Sequence, residues 1–167
     1  MSETIEEITS VMGAERIGNA PARIDWILTD SRSLCFPEET LFFALKTKRN
    51  DGHKYIHELY ERGVRNFVVS DLPENGEAYA DTNFLKVANP LRALQRLAAK
   101  HREQFQIPVV GITGSNGKTI VKEWLYQLLS PERIITRSPR SYNSQIGVPL
   151  SVWLLNEHTE LGIFEAG

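Results

Sequence analysis

The stretch VVGITGSNGKTIVKEWLYQLL, Val109 to Leu129, sets an apolar run, a glycine-containing turn, a Lys-Thr pair and an amphipathic segment end to end. The change of period predicts a strand, a turn and then a helix from Thr119 to Leu129. This order constrains the fold more than any other feature. A strand feeding a helix through a short turn is half of a βαβ unit, and such units pair their strands in parallel.

Downstream the alternation continues. RIITR reads as a strand, Ser144 to Leu155 as a helix and LGIFEAG as a further strand, while upstream IPVVGIT is a fully apolar strand. The region before it has a different character. Ser2 to Met12 reads as a helix, with Ile5, Ile8 and Met12 at helical spacing and Gly13 as its stop. RIDWILTDSR alternates as a half-buried strand and breaks into turn chemistry at Asp30 and Ser31. TLFFAL, NFVVSD and NFLKVA read as strands and YIHELYERG as a helix closed by Gly63. Asn89-Pro90 opens an amphipathic helix to Phe105. The expected class is α/β: a small mixed α/β domain over residues 1–88, then a parallel-sheet domain over 89–167.

Composition narrows the class. Nineteen Lys and Arg against 21 Asp and Glu give a formal charge of −2, with no global basic excess for nucleic acid. Cys35 is the single cysteine, so no internal disulfide can form, and it is read as packing. The acidic N-terminus lacks a signal peptide's basic and apolar regions, and no apolar run approaches the ~20 residues that span a bilayer. The cytoplasm is the expected compartment, with no membrane partner.

Backbone N–H groups of a glycine-rich turn that opens a helix make a concave anion site, to which the helix dipole adds favourable potential. Thr113, Gly114, Ser115, Asn116, Gly117, Lys118 and Thr119 form the candidate phosphate loop. Lys118 would reach the β/γ-phosphates of ATP, and the Thr119 hydroxyl would bind Mg²⁺. The match to the strict pattern is imperfect, because Ile112 stands five residues before Gly117 where that pattern has glycine. An ordinary turn that happens to precede a lysine is the bland alternative. Glu165 closes an apolar strand, and a carboxylate at the carboxyl end of a parallel strand faces the ligand crevice of open sheets, making it a candidate Mg²⁺ ligand.

GITGSNGKT resembles the ATP loop of the Mur ligase family, whose form departs from the strict pattern at the same first glycine. TDSRSLCFPEETLFFAL and NDGHKYIHELYERGV are similar to the family's N-terminal domain, and YNSQIGVPLSVWLL and LGIFEAG to the segments after its ATP loop. Two departures stand out: Thr47 replaces a common glycine, and Ser141-Tyr142-Asn143-Ser144 replaces a glycine and paired asparagines. The second resembles forms fused to an alanine racemase.

The resemblance implies an ATP-dependent amide ligase of peptidoglycan synthesis that joins D-alanyl-D-alanine to UDP-MurNAc-tripeptide. IGVPL points to that step. It also implies catalytic roles for Lys118 and Glu165, a place for Asn143 near nucleotide and metal, and a UDP pocket shaped by Thr29, Asp30, Ser31 and Arg32 with Lys48, Arg49 and Asn50 opposite. Asp30 and Ser31 are equally good turn formers, and KTKRN reads also as a solvated basic loop. Lys46, Lys48 and Arg49 form a local basic cluster that suits a diphosphate.

Only about three strands of a sheet that typically needs five or six follow Ile107. The chain is therefore expected to be the N-terminal portion of a longer ligase, inactive alone and able to self-associate through its incomplete sheet. Another Mur ligase, a P-loop kinase or NTPase, and a non-catalytic UDP-sugar-binding module are the competing readings. His53 and His57 share a helical spacing, but no further ligand pair completes a zinc set. Trp26, Trp124 and Trp153 lie in apolar-periodic segments and are expected in the core.

Overall fold

The computed structural model describes residues 3–48 and 50–167. Contacts divide the chain into two units, Met1–Leu94 and Gln95–Gly167. The division falls inside the helix expected to open the second domain, six residues beyond the expected boundary.

The first unit runs β1 (Glu3–Thr4), α1 (Ile5–Met12), β2 (Glu15–Ile17), β3 (Arg23–Ile24), β4 (Trp26–Leu28), β5 (Thr40–Phe43), α2 (Ile56–Glu61), β6 (Asn66–Val69) and β7 (Asn83–Lys86). The helix expected from Ser2, a residue outside the described ones, begins as α1 at Ile5, after Glu3 and Thr4 in β1. Thr4 accepts from the Glu7 N–H while Glu7 reaches back to the Thr4 N–H, a reciprocal cap that fixes the first turn. The expected strand RIDWIL is divided into β3 and β4, which join different sheets. Five strands form one sheet in the order β2-β7-β6-β5-β4, parallel except for β2. The antiparallel β2 has no counterpart among the expected elements. Its three residues are too short to show a period.

Leu28, Phe42, Ile56, Leu59, Phe67, Val69 and Phe84 pack into the core of this unit. A short 3₁₀ turn, Gly52–Tyr55, precedes α2, with the Asp51 side chain accepting from the His53 N–H. The helical signal in YIHELYERG is realised as α2 over Ile56–Glu61, with Tyr55 in the preceding 3₁₀ turn.

Helix α3 (Pro90–Glu103) carries the chain into the second unit, which continues with β8 (Val109–Ile112), α4 (Lys118–Leu129), β9 (Ile135–Arg137), α5 (Gly147–Val152) and β10 (Leu161–Glu165). Its three strands are parallel, with β10 between β8 and β9. The expected α/β class with parallel pairing holds in both units. Helix α5 is shorter than the expected Ser144–Leu155 segment: Ser144 Oγ accepts from the Gly147 N–H and starts the helix there. Phe105, Leu155 and Phe164 form a local core, joined by Ile107 and Val152.

Three expected core residues divide. Trp153 is 8% exposed, but Trp26 and Trp124 are 43% and 64% exposed. Trp26 instead stacks on Phe36, with ring centroids 5.2 Å apart, and Trp124 lies on the outer face of α4 with Leu128. Cys35, expected to pack, is exposed. Apolar periodicity marks a face of an element and does not say what covers it.

Candidate nucleotide and substrate sites

In the second unit the chain leaves β8 at Ile112 and turns through Thr113–Gly117 before α4 begins at Lys118. Gly114 and Gly117 have φ of 137° and 79°, a left-handed backbone open to glycine at little cost. Apart from each glycine and its chain neighbours, no described atom lies within 4 Å of the position a Cβ would take at either glycine, so a side chain there would meet open space. The first N–H groups of a helix lack intrahelical partners, which leaves α4 presenting donors at this turn. Lys118 Nζ donates to Gly114 O at 2.6 Å, folding the lysine over the loop.

The register of β10 brings a carboxylate to the same edge. Glu165 pairs with Ile112 across the sheet, and the Ala166 N–H donates to Ile112 O at 2.9 Å. Thr119 Oγ1 donates to Glu165 Oε2 at 3.1 Å. Asn143 reaches this edge through its backbone, where its carbonyl accepts from the Gly167 N–H at 2.8 Å. Lys118, Thr119, Glu165 and Asn143 are therefore gathered at the carboxyl end of the parallel strands, where open α/β sheets bind ligands.

Glu165 is fully buried and does not stand alone. Its N–H donates to Ser138 Oγ at 3.0 Å, and Oε1 lies 2.9 Å from Nζ of Lys122, which is equally buried. Glu165 Oε1 has an ionic neighbour yet no well-directed hydrogen bond. Lys122 is absent from the expected site. Its position four residues after Lys118 puts it on the same helix face, a spacing that could have flagged it, but lysine is ordinarily a solvent residue.

In the first unit Thr29, Asp30, Ser31, Arg32 and Asn50 line one cleft of about 480 Å³ with Tyr55 and Glu58. Asp30 caps the 3₁₀ turn Ser31–Ser33 by accepting from the Arg32 N–H. Arg32 grips the same carboxylate through Nε at 2.9 Å and Nη2 at 2.6 Å. That bidentate bond holds the Asp30 carboxyl below its ordinary range and raises the guanidinium.

Asn50 lines the same cleft as Thr29–Arg32. Lys48 is exposed and is not among the residues lining the cleft, and Arg49 lies outside the described residues. Lys46 does not join a free basic cluster. Its ammonium donates to Asp71 at 2.5 Å, with Asp51 at 3.9 Å, so its charge is already matched. His53 is held by Asp51 at 2.6 Å on Nδ1 and accepts the Ser70 N–H at 3.1 Å on Nε2, and His57 contacts the ring of Tyr79.

A glycine turn between a parallel strand and a helix, a Lys-Thr pair at the helix start and an acidic residue ending the neighbouring strand define the arrangement of a P-loop unit. The chain belongs to the Mur ligase family. The Mur ligase family catalytic domain matches residues 23–102 and the Mur ligase middle domain residues 112–167. The UDP-N-acetylmuramoyl-tripeptide–D-alanyl-D-alanine ligase of Bacillus subtilis is 33% identical over 148 residues, covering 86% of this chain and 31% of the relative. MurF of Acinetobacter baumannii superposes with a TM-score of 0.87 at 29% identity over 100% of this chain and 36% of its own. MurF ligase of Thermotoga maritima, solved in complex with ADP, gives a TM-score of 0.69 at 30% identity over 83% of this chain and 31% of its own. The chain thus spans about a third of the length of these relatives. Among the described residues no helix is long and apolar enough to cross a membrane.

Proposed function

We propose that the protein carrying this chain is a cytoplasmic, ATP-dependent carbon–nitrogen ligase that joins D-alanyl-D-alanine to UDP-MurNAc-tripeptide. The observation that carries this reading is the 3.1 Å approach of Thr119 Oγ1 to Glu165 Oε2 at the mouth of the loop, in a chain similar to ligases of that name. The backbone of Thr113–Thr119 would wrap the ATP phosphates, and Lys118 would exchange the Gly114 carbonyl for phosphate oxygens.

The oxygens present suit Mg²⁺. A hydroxyl and a carboxylate oxygen, Thr119 Oγ1 and Glu165 Oε2, lie side by side at the loop. Mg²⁺ usually takes one or two protein oxygens and completes its shell with waters and phosphates. Thr119 and Glu165 would hold it, and when bound it would offset charge on the β- and γ-phosphates. Asn143 would approach the nucleotide from the neighbouring turn.

In the reaction the terminal carboxylate of the tripeptide attacks the γ-phosphorus and ADP leaves. The dipeptide amine then attacks the acyl phosphate carbon, releasing phosphate and a proton and forming the amide. Activation is needed because a carboxylate is a poor electrophile. The protein's part is positioning and charge stabilisation. In the first unit the cleft of Thr29, Asp30, Ser31, Arg32 and Asn50 would receive the UDP end, with Lys48 and Arg49 as further candidates for the diphosphate.

Calorimetric titration tests both halves. The chain is titrated separately with Mg·ATP and with UDP-MurNAc-tripeptide, and then again as Lys118→Ala and as Asn50→Ala. Each ligand should lose binding only to the variant in its own unit. Nucleotide binding that survives Lys118→Ala would overturn the loop assignment, and failure of the UDP compound to bind the wild type would remove the substrate assignment.

A further inference from the structure

We infer that Lys122 is a positioning residue for the candidate metal and nucleotide site, holding Glu165 and the turn after β9 in place without touching substrate. The inference rests on the proposed reading of Thr119 and Glu165, and it adds a residue which that reading does not use.

Lys122 sits one helical turn beyond Lys118, with a fully buried side chain. An ammonium is kept out of water only where charge and hydrogen bonds replace its hydration. Four acceptors surround this one. Glu165 Oε1 lies at 2.9 Å and Glu123 Oε1 at 3.4 Å, while Nζ donates to Ser138 O at 2.9 Å and to Arg140 O.

These acceptors come from separate places in the fold. Glu165 ends β10, and Ser138 and Arg140 belong to the turn that follows β9. Arg140 has a φ of 48°, a left-handed conformation that a non-glycine residue holds at a cost. Its carbonyl is turned onto the ammonium in that conformation. The turn then runs to Asn143, whose carbonyl accepts from the Gly167 N–H. One buried cation therefore ties α4, the end of β10 and the turn leading to Asn143.

At Glu165 the consequence is directional. The ammonium takes Oε1, leaving Oε2 facing Thr119 Oγ1. A carboxylate held this way offers a single oxygen beside the hydroxyl at a fixed distance from the loop. Without the ammonium it is free to rotate, and both its rotamer and its hydration change.

The experiment measures nucleotide and metal binding without turnover. Affinity for ATP is determined in EDTA and with saturating Mn²⁺, and Mn²⁺ binding to the ATP complex is followed by electron paramagnetic resonance. The wild type, Lys118→Ala and Lys122→Met are compared. In Lys122→Met the Mn²⁺ affinity of the ATP complex should fall about 10- to 100-fold, as for other residues that orient a metal ligand, while metal-free ATP affinity stays near that of the wild type. Should the Met variant not fold, Lys122→Gln keeps a neutral donor beside Glu165 and is read in the same way. Unchanged Mn²⁺ affinity, or equal losses with and without metal, would overturn the inference, the second result marking Lys122 as scaffold alone. If wild-type ATP binding is absent or ignores Lys118→Ala, the reading of the loop itself fails and the role of Lys122 falls with it.

Discussion

Asn83 Nδ2 donates to Asn66 Oδ1 at 2.8 Å, joining the first residues of two neighbouring parallel strands where both side chains are sealed from solvent. Asn83 also donates to Ala20 O at 2.9 Å, and its Oδ1 accepts from Arg16 Nε at 3.0 Å. One amide thereby binds β7, β6 and the segment before β3. Asn83→Ala leaves buried partners unsatisfied and should cost about 1–3 kcal/mol in urea-induced unfolding of the first unit. A loss below a few tenths would show that solvent reaches this layer.

Two glycines should fail for different reasons. A Cβ on Gly52 would lie 2.8 Å from the Leu45 N and 2.9 Å from the Ala44 Cα, so Gly52→Ala should destabilise the first unit by about 1–3 kcal/mol through overpacking. Gly117 has open space but a φ of 79°, so Gly117→Ala should cost about 1–2 kcal/mol of backbone strain and weaken ATP binding much more than it lowers the melting temperature. Melting curves and ATP titrations of both variants separate the two effects. Equal loss of ATP binding in Gly52→Ala would contradict the assignment.

Arg32 holds the Asp30 carboxyl below its ordinary range by a bidentate hydrogen bond. A carboxyl lowered on folding adds stability that is fully present above its unfolded value and is lost as pH falls through the folded one. The pair should therefore contribute evenly across neutral pH and fade only in acid. The contribution is small, since the Arg32 side chain is largely in water and that of Asp30 about half so. Carboxyl NMR titration should show Asp30 moving up towards the ordinary aspartate value in Arg32→Ala. An unchanged midpoint would mean that the ion pair does not persist in solution.

Ile120, Val121, Trp124 and Leu128 make α4 unusually apolar on its outer side for the chain as described. Contiguous exposed apolar surface promotes association. Sedimentation velocity of this chain should show weight-average size rising with concentration, and Trp124→Ser should suppress the rise. A species that stays monomeric at high concentration would remove self-association as a property of the chain.

Much of this was legible because strands and helices alternate with clear changes of period. VVGI, the turn at Gly114–Gly117 and the helix after it form one continuous signal, and the α/β class follows. The antiparallel β2 was not legible, since three residues carry no period. Nor were Trp26 and Trp124, because an apolar stripe is visible in sequence while the surface that would cover it is not. Lys122 was hidden by its chemistry. Burying an ammonium depends on four acceptors brought together from residues 123–165, and only the folded chain reveals them. Asn50 and the Thr29–Arg32 segment met in one cleft, whereas Lys46, grouped by sequence with a diphosphate site, is engaged by Asp71 instead.

Because β10 lies between β8 and β9, those two strands are joined only through it, and the sheet of this unit forms only once the later strand is inserted. Thr119 and Glu165 stand 46 residues apart in the chain. At ~5–20 residues per second of synthesis, the glycine turn leaves the ribosome seconds before its carboxylate. A nascent chain would carry the turn without its acidic partner for that interval. The separation in sequence thus acts as a delay, keeping the two halves of the site apart until β10 has been made.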